Sequence, residues 1–461
     1  MRLPPLLVVA AVALLLHAPE AARTAASAAA EVIGDAITIR VNASTSLRQA
    51  QRQARTQAGE GREVTLELLP GVHSVTDGPL VLGPEDAGIS WTGQAGAVIS
   101  GGASLPLAGF EPVPASDPVR ARLPTHVAHS VIRTDVSAHR ESFTSPASSG
   151  GMGLADGSGA PLPAARWPNP AAPDSVGVRD GWATTGVGSN GSGFRFPSSA
   201  PLPSNTSGTV AHGFWWLDWS SAKLPVTRLA DGFAFVAAGA APPYVKEMGK
   251  GRFPSGSRFF FLNQPEYLDA AGEWWIDQGS GYLYLLPPAH FTPHVFLSLS
   301  PHLFELQGAS SAVEFTGLTM VSAQRAGITC GANNGPGHVT PCAAQSVVID
   351  NCSLLGLGGT AIEVTDGANW SITHSTVRYT GGVGVLLSGG NYTSLRPSGH
   401  LLANCTITDF NLNMAGFQAG VKIEGVGTRV LQNELARGAA QALLWSGNDH
   451  LISANVIHDI W

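Results

Sequence analysis

Three side chains near the end of this sequence, Glu424, Asp449 and His450, have the chemical types that acid–base catalysis requires. Two carboxylic acids on either side of a glycosidic bond can hydrolyse it, at about 5 to 5.5 Å for retention or about 6.5 to 9.5 Å for inversion. An imidazole nearby can orient or protonate a partner. We therefore predict Glu424 and Asp449 as a catalytic pair, with His450 beside them.

Each of the two acids also has an ordinary structural explanation. An Asp in an Asn-Asp turn often bonds its own backbone, which suits Asp449. Glu424 stands two residues after Lys422 and can form a solvated ion pair with it. Both explanations stay open from sequence alone.

A repeated pattern would position these acids. Residues 401–407, 430–435 and 451–457 each have a hydrophobic residue, two or three mostly polar positions and a second hydrophobic residue. A unit this short cannot bury its apolar side alone, so the pattern predicts the stacked coils of a solenoid. Aligning the second hydrophobic residue of each unit matches Met320, Leu354, Val377, Ile407, Leu435 and Ile457.

The alignment also gives the coils a register. Second strands, such as 421–423 and 442–445, indicate at least two parallel sheets, with loops at the corners. In this register Glu424 ends one strand and Asp449 lies in the corresponding corner of the next coil, roughly 5 Å away. Further acids expected at corners, where a structural role is the simpler explanation, are Glu363, Asp366, Asp409 and Asp459 beside His458.

The coils fall in two runs with a different segment between them. Short strands fill residues 31–102, where a helix at 46–58 would cap the open end with Leu47, Ala50 and Ala54 on one side. Residues 103–300 are rich in Trp and Pro and predict an inserted β-rich module, of the sandwich type. Coils resume over 301–461. Since Trp461 falls in the middle of a coil, we expect the chain to be truncated there.

The N-terminus and the composition limit the functional classes. Arg2, the apolar run 6–16 and the small residues of 18–30 predict a signal peptide over residues 1–30, and hence a secreted protein without a later membrane span. A net charge of -7, with scattered Lys and Arg, argues against a nucleic-acid partner. We expect no cofactor and no metal, because no Cys or His cluster has ligand spacing. The oligomeric state is open.

The four cysteines divide into two pairs. A secretory compartment permits disulfides, so Cys330 and Cys342 are either bridged or free. Cys352 and Cys405 fall two coils apart, at roughly 9 to 10 Å, which is too far for a bridge and predicts buried thiols. Asn-x-Ser/Thr sequons, which would carry glycans in a eukaryotic host, begin at Asn42, Asn190, Asn205, Asn351, Asn369, Asn391 and Asn404.

Several segments carry a family resemblance. They are 69–73 (LPGVH), 80–88 (LVLGPEDAG), 99–102 (ISGG), 165–169 (ARWPN), 268–277 (LDAAGEWWID), 447–452 (GNDHLI) and 455–459 (NVIHD). Together they resemble secreted right-handed parallel β-helix proteins, of the pectate-lyase-like kind, related to glycoside hydrolase families 141 and 120. The resemblance spans almost the whole mature chain.

This resemblance implies an all-β fold, a right-handed parallel β-helix (a solenoid) with an inserted β-sandwich-like module. It also implies a glycan substrate. In the resembled proteins the chain continues into further acidic coils, where we expect at least one catalytic carboxylate.

The leading functional prediction is a secreted glycoside hydrolase that acts on a complex polysaccharide with paired carboxylates. The alternative is a noncatalytic extracellular glycan-binding or wall-associated protein. A lyase would need a basic residue near the acids, where only Lys422 and Arg429 stand, and a serine hydrolase would need a Gly-x-Ser-x-Gly elbow that is not present. Sugar-stacking and core roles are both open for Trp215, Trp216 and Trp219.

Overall fold

Short strands with alternating buried and exposed residues build most of this protein. A computed structural model describes residues 29–33, 36–143, 153–170, 180–247, 249–290, 292–333, 339–413 and 418–461. Apart from Ala29 and Ala30, the predicted signal peptide lies outside the described residues.

In the described part of the chain, three long sheets consist of parallel strands, except for one antiparallel strand, Ala29–Ile33, at an edge. Sheet 1 contains Ala29–Ile33, Ala36–Val41, Glu63–Leu68, Ile89–Gly93, Glu314–Thr316, Val348–Asp350, Ser371–Thr373, Leu401–Ala403, Arg429–Leu431 and Leu451–Ser453. Sheet 2 contains Gly71–Ser74, Ala97–Ser100, Thr319–Val321, Ser353–Leu357, Thr376–Thr380, Thr406–Thr408, Glu434–Gly438 and Val456–Ile460. Sheet 3 contains Leu80–Leu82, His302–Leu306, Ala326–Cys330, Ile362–Gly367, Val385–Gly389, Ala419–Val426 and Gln441–Asn448.

From Glu63 onward the chain visits these sheets in a fixed order, sheet 1, then sheet 2, then sheet 3, and begins again. Each circuit is one coil, and its strands pair with those of the coils before and after it. The inward side chains of all three sheets form one continuous apolar core, in which Ile99, Phe315 and Ile423 are fully buried. The chain is thus mostly β, with long parallel sheets.

The predicted coil register is confirmed. Met320 pairs with Leu354, and Leu354 with Val377. The series continues through Ile407 and Leu435 to Ile457. Sequence periodicity was enough to predict the register, because successive side chains of a strand point to opposite faces. A shift by one residue would therefore expose the whole apolar row.

The predicted cap is also present. Helix α1, Leu47–Gly59, buries Leu47, Ala50 and Ala54 against the first coil. Its position is fixed by Asp86, a fully buried residue whose carboxylate accepts hydrogen bonds from Gln51 and from Arg55, the latter at 2.7 Å. The helix therefore covers the apolar rows at one end of the stack.

Replacing Asp86 by Ala should lower the free energy of unfolding by about 3 kcal/mol, because it leaves buried donors without an acceptor. Urea denaturation followed by circular dichroism measures this. The matched control is Asp77→Ala, which removes an exposed ion pair with Arg48 and should cost less than about 1 kcal/mol. Equal losses in the two variants would show that the buried carboxylate does not fix the helix.

Between the strands Ala97–Ser100 and His302–Leu306, the described strands are antiparallel and form a module outside the stack. Its large sheet contains Ala183–Thr184, Gly186–Asn190, Gly193–Arg195, Val210–Gly213, Ala222–Ala230, Phe233–Val236, Arg258–Leu262 and Arg166–Trp167. A second sheet contains Glu111–Pro112, Ile132–Asp135, Tyr282–Leu285 and Trp274–Asp277. A third contains Gly102–Pro106, His294–Ser298, Leu154–Asp156 and Pro161–Leu162. Helix α2 spans Pro243–Glu247.

Adjacent tryptophans show how the module is layered. Trp275 points into a core shared with the large sheet, where Phe259 and Phe261 are buried. Trp274 points the opposite way, into a core shared with the third sheet, beside Leu297. The second sheet thus buries both faces, so the module has three layers where a sandwich has two.

Short elements complete the described chain. The 3-10 turns span Pro84–Asp86, Leu107–Gly109, Pro118–Ala121, Ser137–Ser142 and Pro265–Tyr267. A hairpin pairs Ala332–Asn333 with Val339–Thr340, beside a disulfide that joins Cys330 to Cys342 and so settles that open question. The prediction for Cys352 and Cys405 is confirmed, since both are free and buried. Among the described helices, none is long and apolar enough to cross a membrane.

Candidate active site

The outer face of sheet 3 carries the first group of candidate residues. In the strand Ala419–Val426, Val421 and Ile423 point into the core, so Lys422 and Glu424 point outward. Pairing between coils places Glu363, Leu386 and Lys422 in one row across this face. One outward surface therefore holds two acids and a lysine.

Glu424 is in the ion pair that the sequence allowed. The Nζ atom of Lys422 lies 3.0 Å from Oε1 of Glu424, and both side chains are partly exposed. Glu424 is thus an accessible carboxylate next to a cation.

Glu363 has a different environment. Its side chain is half-buried, and burial raises its pKa, although Arg325 and Lys422 act in the opposite direction. A raised pKa favours the protonated acid. One face thus holds two acids in unlike environments: burial favours the protonated form of Glu363, and Glu424 lies beside a cation. Catalysis by a general acid and a general base uses such a pair.

The structure corrects the register assigned to Asp449. Glu424 pairs with Ser446, and Val426 with Asn448, so Asp449 aligns with Gly427 and not with Glu424. The three-residue offset corresponds to roughly 11 Å between Cα atoms for extended chain. The sequence predicts that the strand ends at Glu424, but it continues through Gly425, whose φ of +107° few other residues adopt.

His450 holds a turn through both ring nitrogens. Its Nδ1 accepts the backbone N–H of Thr428 at 3.1 Å, and its Nε2 donates to the carbonyl of Ser446 at 3.1 Å. His400 makes the same two contacts with Trp370 and Ser388 two coils earlier. This geometry favours a structural role for His450, while its predicted catalytic role, like those of Glu424 and Asp449, stays a prediction.

The remaining acids occupy structured corners. Asp409 accepts hydrogen bonds from Arg378 at 2.7 Å and from Arg437 at 3.0 Å. Asp366 is exposed, with a φ of +55°. His458 contacts Asp459 at 2.8 Å and Glu434 at 3.3 Å. Among the described residues, no group of three or more His, Cys, Asp or Glu side chains is arranged to hold a metal ion.

A cleft of about 510 Å³ lies between the module and the connections from sheet 2 to sheet 3. The stack contributes Gly358, Gly381, Tyr379 and Asn413 to its wall. Gly358 is followed along the chain by the strand Ile362–Gly367, which carries Glu363, so this wall of the cleft connects directly to sheet 3.

Close backbone contact joins the two walls of the cleft. A methyl group added at Gly356 would lie 2.3 Å from the carbonyl oxygen of Gly159, so only glycine lets the module approach the stack here. Farther along, Ala439 packs against Val210, Phe260 and Leu262 of the large sheet. The module is therefore held against the coils on both sides of the cleft.

The module wall presents one face of its large sheet. His212 pairs with Lys223 on one neighbouring strand and with Phe260 on the other. Their neighbours Ala211, Leu224 and Phe261 belong to the module core. Strand alternation thus turns His212, Lys223 and Phe260 together toward the cleft.

Burial sets the charge of these groups. It lowers the pKa of Lys223 to about 8. The pKa of His212 is well below its usual value because of burial and the nearby positive charges of Lys223 and Arg166, so the imidazole is neutral. Arg166 lies over the ring of Phe260, at 3.7 Å from its centroid. At neutral pH the module wall is cationic and partly aromatic.

The rim of the cleft carries an acid–imidazole pair. Asp156, a buried residue, lies 2.9 Å from Nε2 of the exposed His290 and also accepts hydrogen bonds from Ser158. Sequence reasoning missed Asp156 and His290, and also Lys223 and His212. No local signal identifies them, because their proximity depends on antiparallel pairings within the module.

Comparison with known proteins gives a likeness of fold. No protein-family model matches this chain, and no curated protein matches it. A solved structure described as "Glycoside hydrolase" superposes with a TM-score of 0.54 at 14% sequence identity, covering 92% of this chain and 96% of that one. The likeness therefore includes both the stacked sheets and the module, and at this identity it concerns the fold alone.

Proposed function

We propose that this chain is a secreted glycoside hydrolase built on a right-handed parallel β-helix and related to glycoside hydrolase families 141 and 120. The repeated passage through three parallel sheets supports the β-helix. The fold likeness to a structure described as a glycoside hydrolase supports the class. The substrate in this proposal is a complex polysaccharide, which a long outer sheet face can accommodate.

The observation that carries the proposal is the placement of Glu363 and Glu424 on one outward face, in unlike environments. Glu363 lies two coils from Lys422 in the same row, which puts its Cα roughly 12 Å from that of Glu424. Lys422 attracts both carboxyl groups toward the space between them. We expect this to bring them within the roughly 6.5 to 9.5 Å that inverting hydrolases use.

In the proposed reaction Glu363 is the general acid and Glu424 the general base. Glu363 donates its proton to the glycosidic oxygen as the bond from that oxygen to the anomeric carbon breaks. Glu424 takes a proton from a water molecule, whose oxygen bonds to the anomeric carbon from the opposite side. One water is consumed, the leaving sugar gains a hydroxyl group, and the configuration inverts.

Asp449 stays in the proposal as a rival partner for Glu424, with His450 as its helper. The rival arrangement requires the turn at Asp449 to direct its carboxyl group back over sheet 3. Substitution of each acid separately distinguishes the two pairs.

The direct test is a hydrolysis screen with the secreted protein. Xylosides, α-fucosides and plant or algal wall polysaccharides are incubated with the wild type and with a Glu363→Gln, Glu424→Gln double variant, and released reducing sugars are measured. The proposal requires release by the wild type that the double variant lacks. Tight glycan binding without release by either protein would favour the noncatalytic alternative.

The pH dependence of hydrolysis gives a separate prediction. The general acid must be protonated, and burial raises the pKa of Glu363, so activity should extend above the usual range of a carboxylic acid and fall as pH rises through that raised pKa. The profile of kcat/KM against pH measures this alkaline limb. With substrates whose leaving group needs no proton, such as activated aryl glycosides, the limb should disappear in Glu363→Gln; a limb unchanged by this substitution would assign it to another residue.

A further inference from the structure

Lys223 is a lysine without an acidic partner in a cleft large enough for a sugar. Its side chain is partly buried and lines the cleft on the module side. No described residue forms a hydrogen bond or an ion pair with its Nζ atom. A half-buried ammonium is usually paired, because leaving it unpaired costs free energy.

The charged groups around Lys223 do not compensate it. His212 is neutral, and among the described residues its side chain forms a hydrogen bond with Ser221, at 3.0 Å. Arg166 lines the same wall but already interacts with the acidic groups Glu273 and Asp180. The acid that lines the cleft, Asp156, is already engaged by Ser158 and His290. The ammonium of Lys223 therefore has no counter-charge among the described residues, and an anionic ligand would supply one.

The rest of the cleft suits a sugar ring. Pro161, Pro163 and Pro288 line the module side of the cleft and keep exposed surface, against which the C–H face of a pyranose can pack. Tyr379 and Asn413 give polar groups on the opposite wall. A single ammonium beside such a surface fits one acidic substituent on a sugar, whereas a nucleic acid would require an extended basic surface.

From this arrangement we propose that the cleft binds an acidic sugar residue, with Lys223 paired to its carboxylate or sulfate group. The proposal rests on the proposed function, because it specifies the substrate of that hydrolase as an acidic polysaccharide. A polysaccharide that extends from the cleft past Gly358 would follow the chain toward the strand that carries Glu363.

Matched ligands test the charge requirement. Trigalacturonic acid and its methyl ester share one skeleton and differ in charge, and a sulfated galactose trisaccharide represents the other anionic source. Isothermal titration calorimetry should show the wild type binding at least one of the two acidic trisaccharides about 10-fold or more tightly than the neutral ester. The acidic trisaccharide that binds identifies the charged group as a carboxylate or a sulfate. Equal affinity for charged and neutral ligands, or no binding of either acidic ligand, overturns the proposal.

Matched variants test the residue. In Lys223→Gln the preference for the acidic ligand should fall to about 1-fold, while Lys223→Arg should keep most of it. Lys246→Gln, on the exposed surface of α2, is the control and should bind as the wild type does. Circular dichroism of Lys223→Gln and Lys223→Met verifies folding. Loss of neutral and acidic ligands to the same extent in the folded variants contradicts a charge-pairing role.

The outcome is separable from that of the hydrolase proposal. Glu363→Gln should lose hydrolysis but keep the wild-type preference for the acidic ligand, because the cleft is unchanged. Hydrolysis of neutral glycans with no acidic preference would refute the role of Lys223 alone. Acidic preference without hydrolysis would refute the catalytic role of the two glutamates alone.

Discussion

Glu363→Gln is expected to lower kcat by about 10²- to 10⁴-fold on natural glycans and to change KM only a few-fold, because the amide keeps the shape but cannot donate the proton. Initial rates of reducing-sugar release over a range of substrate concentrations separate the two parameters. Activated aryl glycosides should recover much of the rate, since their leaving group departs without protonation.

A matched control exists in the same row of sheet 3. Glu305 lies two coils before Glu363, through Thr329, and points outward from the same face. Glu305→Gln should therefore stay within a few-fold of the wild type. A large loss in Glu305→Gln, or a rate for Glu363→Gln within 10-fold of the wild type, would remove Glu363 from the mechanism.

The second acid is decided by two further substitutions. If Glu424 is the base, Glu424→Gln loses activity to a similar extent and Asp449→Asn does not. If the loss follows Glu424 and Asp449 while Glu363→Gln remains active, the catalytic pair is Glu424 and Asp449. The three-residue offset between Glu424 and Asp449 makes the first outcome the expected one.

The coil register could be predicted from sequence because burial repeats with a simple rule. Inward residues such as Leu354 and Val377 are apolar in every coil, and strand alternation leaves one consistent alignment. The cap helix was predictable for the same reason, since its apolar residues recur on one side. These features depend on contacts that a local pattern specifies.

The register at the corners was not predictable, because it depends on backbone conformation. Gly425 and Gly447 pair with each other within the strands and have φ values of +107° and +116°, which few other residues adopt. The alternation of inward apolar residues is interrupted here, because Gly425 takes an inward position and the buried Val426 follows it directly. The prediction therefore placed Asp449 three positions too close to Glu424.

The cleft could not be predicted at all. His212 and Lys223 become neighbours through an antiparallel pairing, and Phe260 joins them from a strand much later in the sequence. The opposite wall comes from coils later in the chain, which contribute Tyr379 and Asn413. Such nonlocal packing leaves no periodic signal in the sequence.

The aromatic cluster that reconnects the stack after the module should be the most sensitive part of the core. Trp91 precedes the module and pairs with Phe315, which follows it. Phe304 packs edge-on against Trp91, with ring centroids 5.3 Å apart, and against Phe315 at 4.8 Å. All three rings are fully buried, so they join coils that are distant in sequence.

Trp91→Ala is accordingly expected to lower the free energy of unfolding by about 3 to 5 kcal/mol, because a large cavity forms where two segments of the stack meet. Trp91→Phe should cost less, since it keeps a ring and removes an indole N–H that has no partner among the described residues. Trp216→Ala, at a tryptophan that is 40% exposed in the module, should cost under about 1 kcal/mol. Urea denaturation of the three variants measures the order of their stabilities.

In a stack each coil is stabilised by its neighbours, so the loss in Trp91→Ala should affect the coils on both sides of the module. Amide hydrogen exchange should therefore rise in both runs of coils. An increase confined to the coils before the module would mean that the two runs unfold independently and that the aromatic cluster does not couple them.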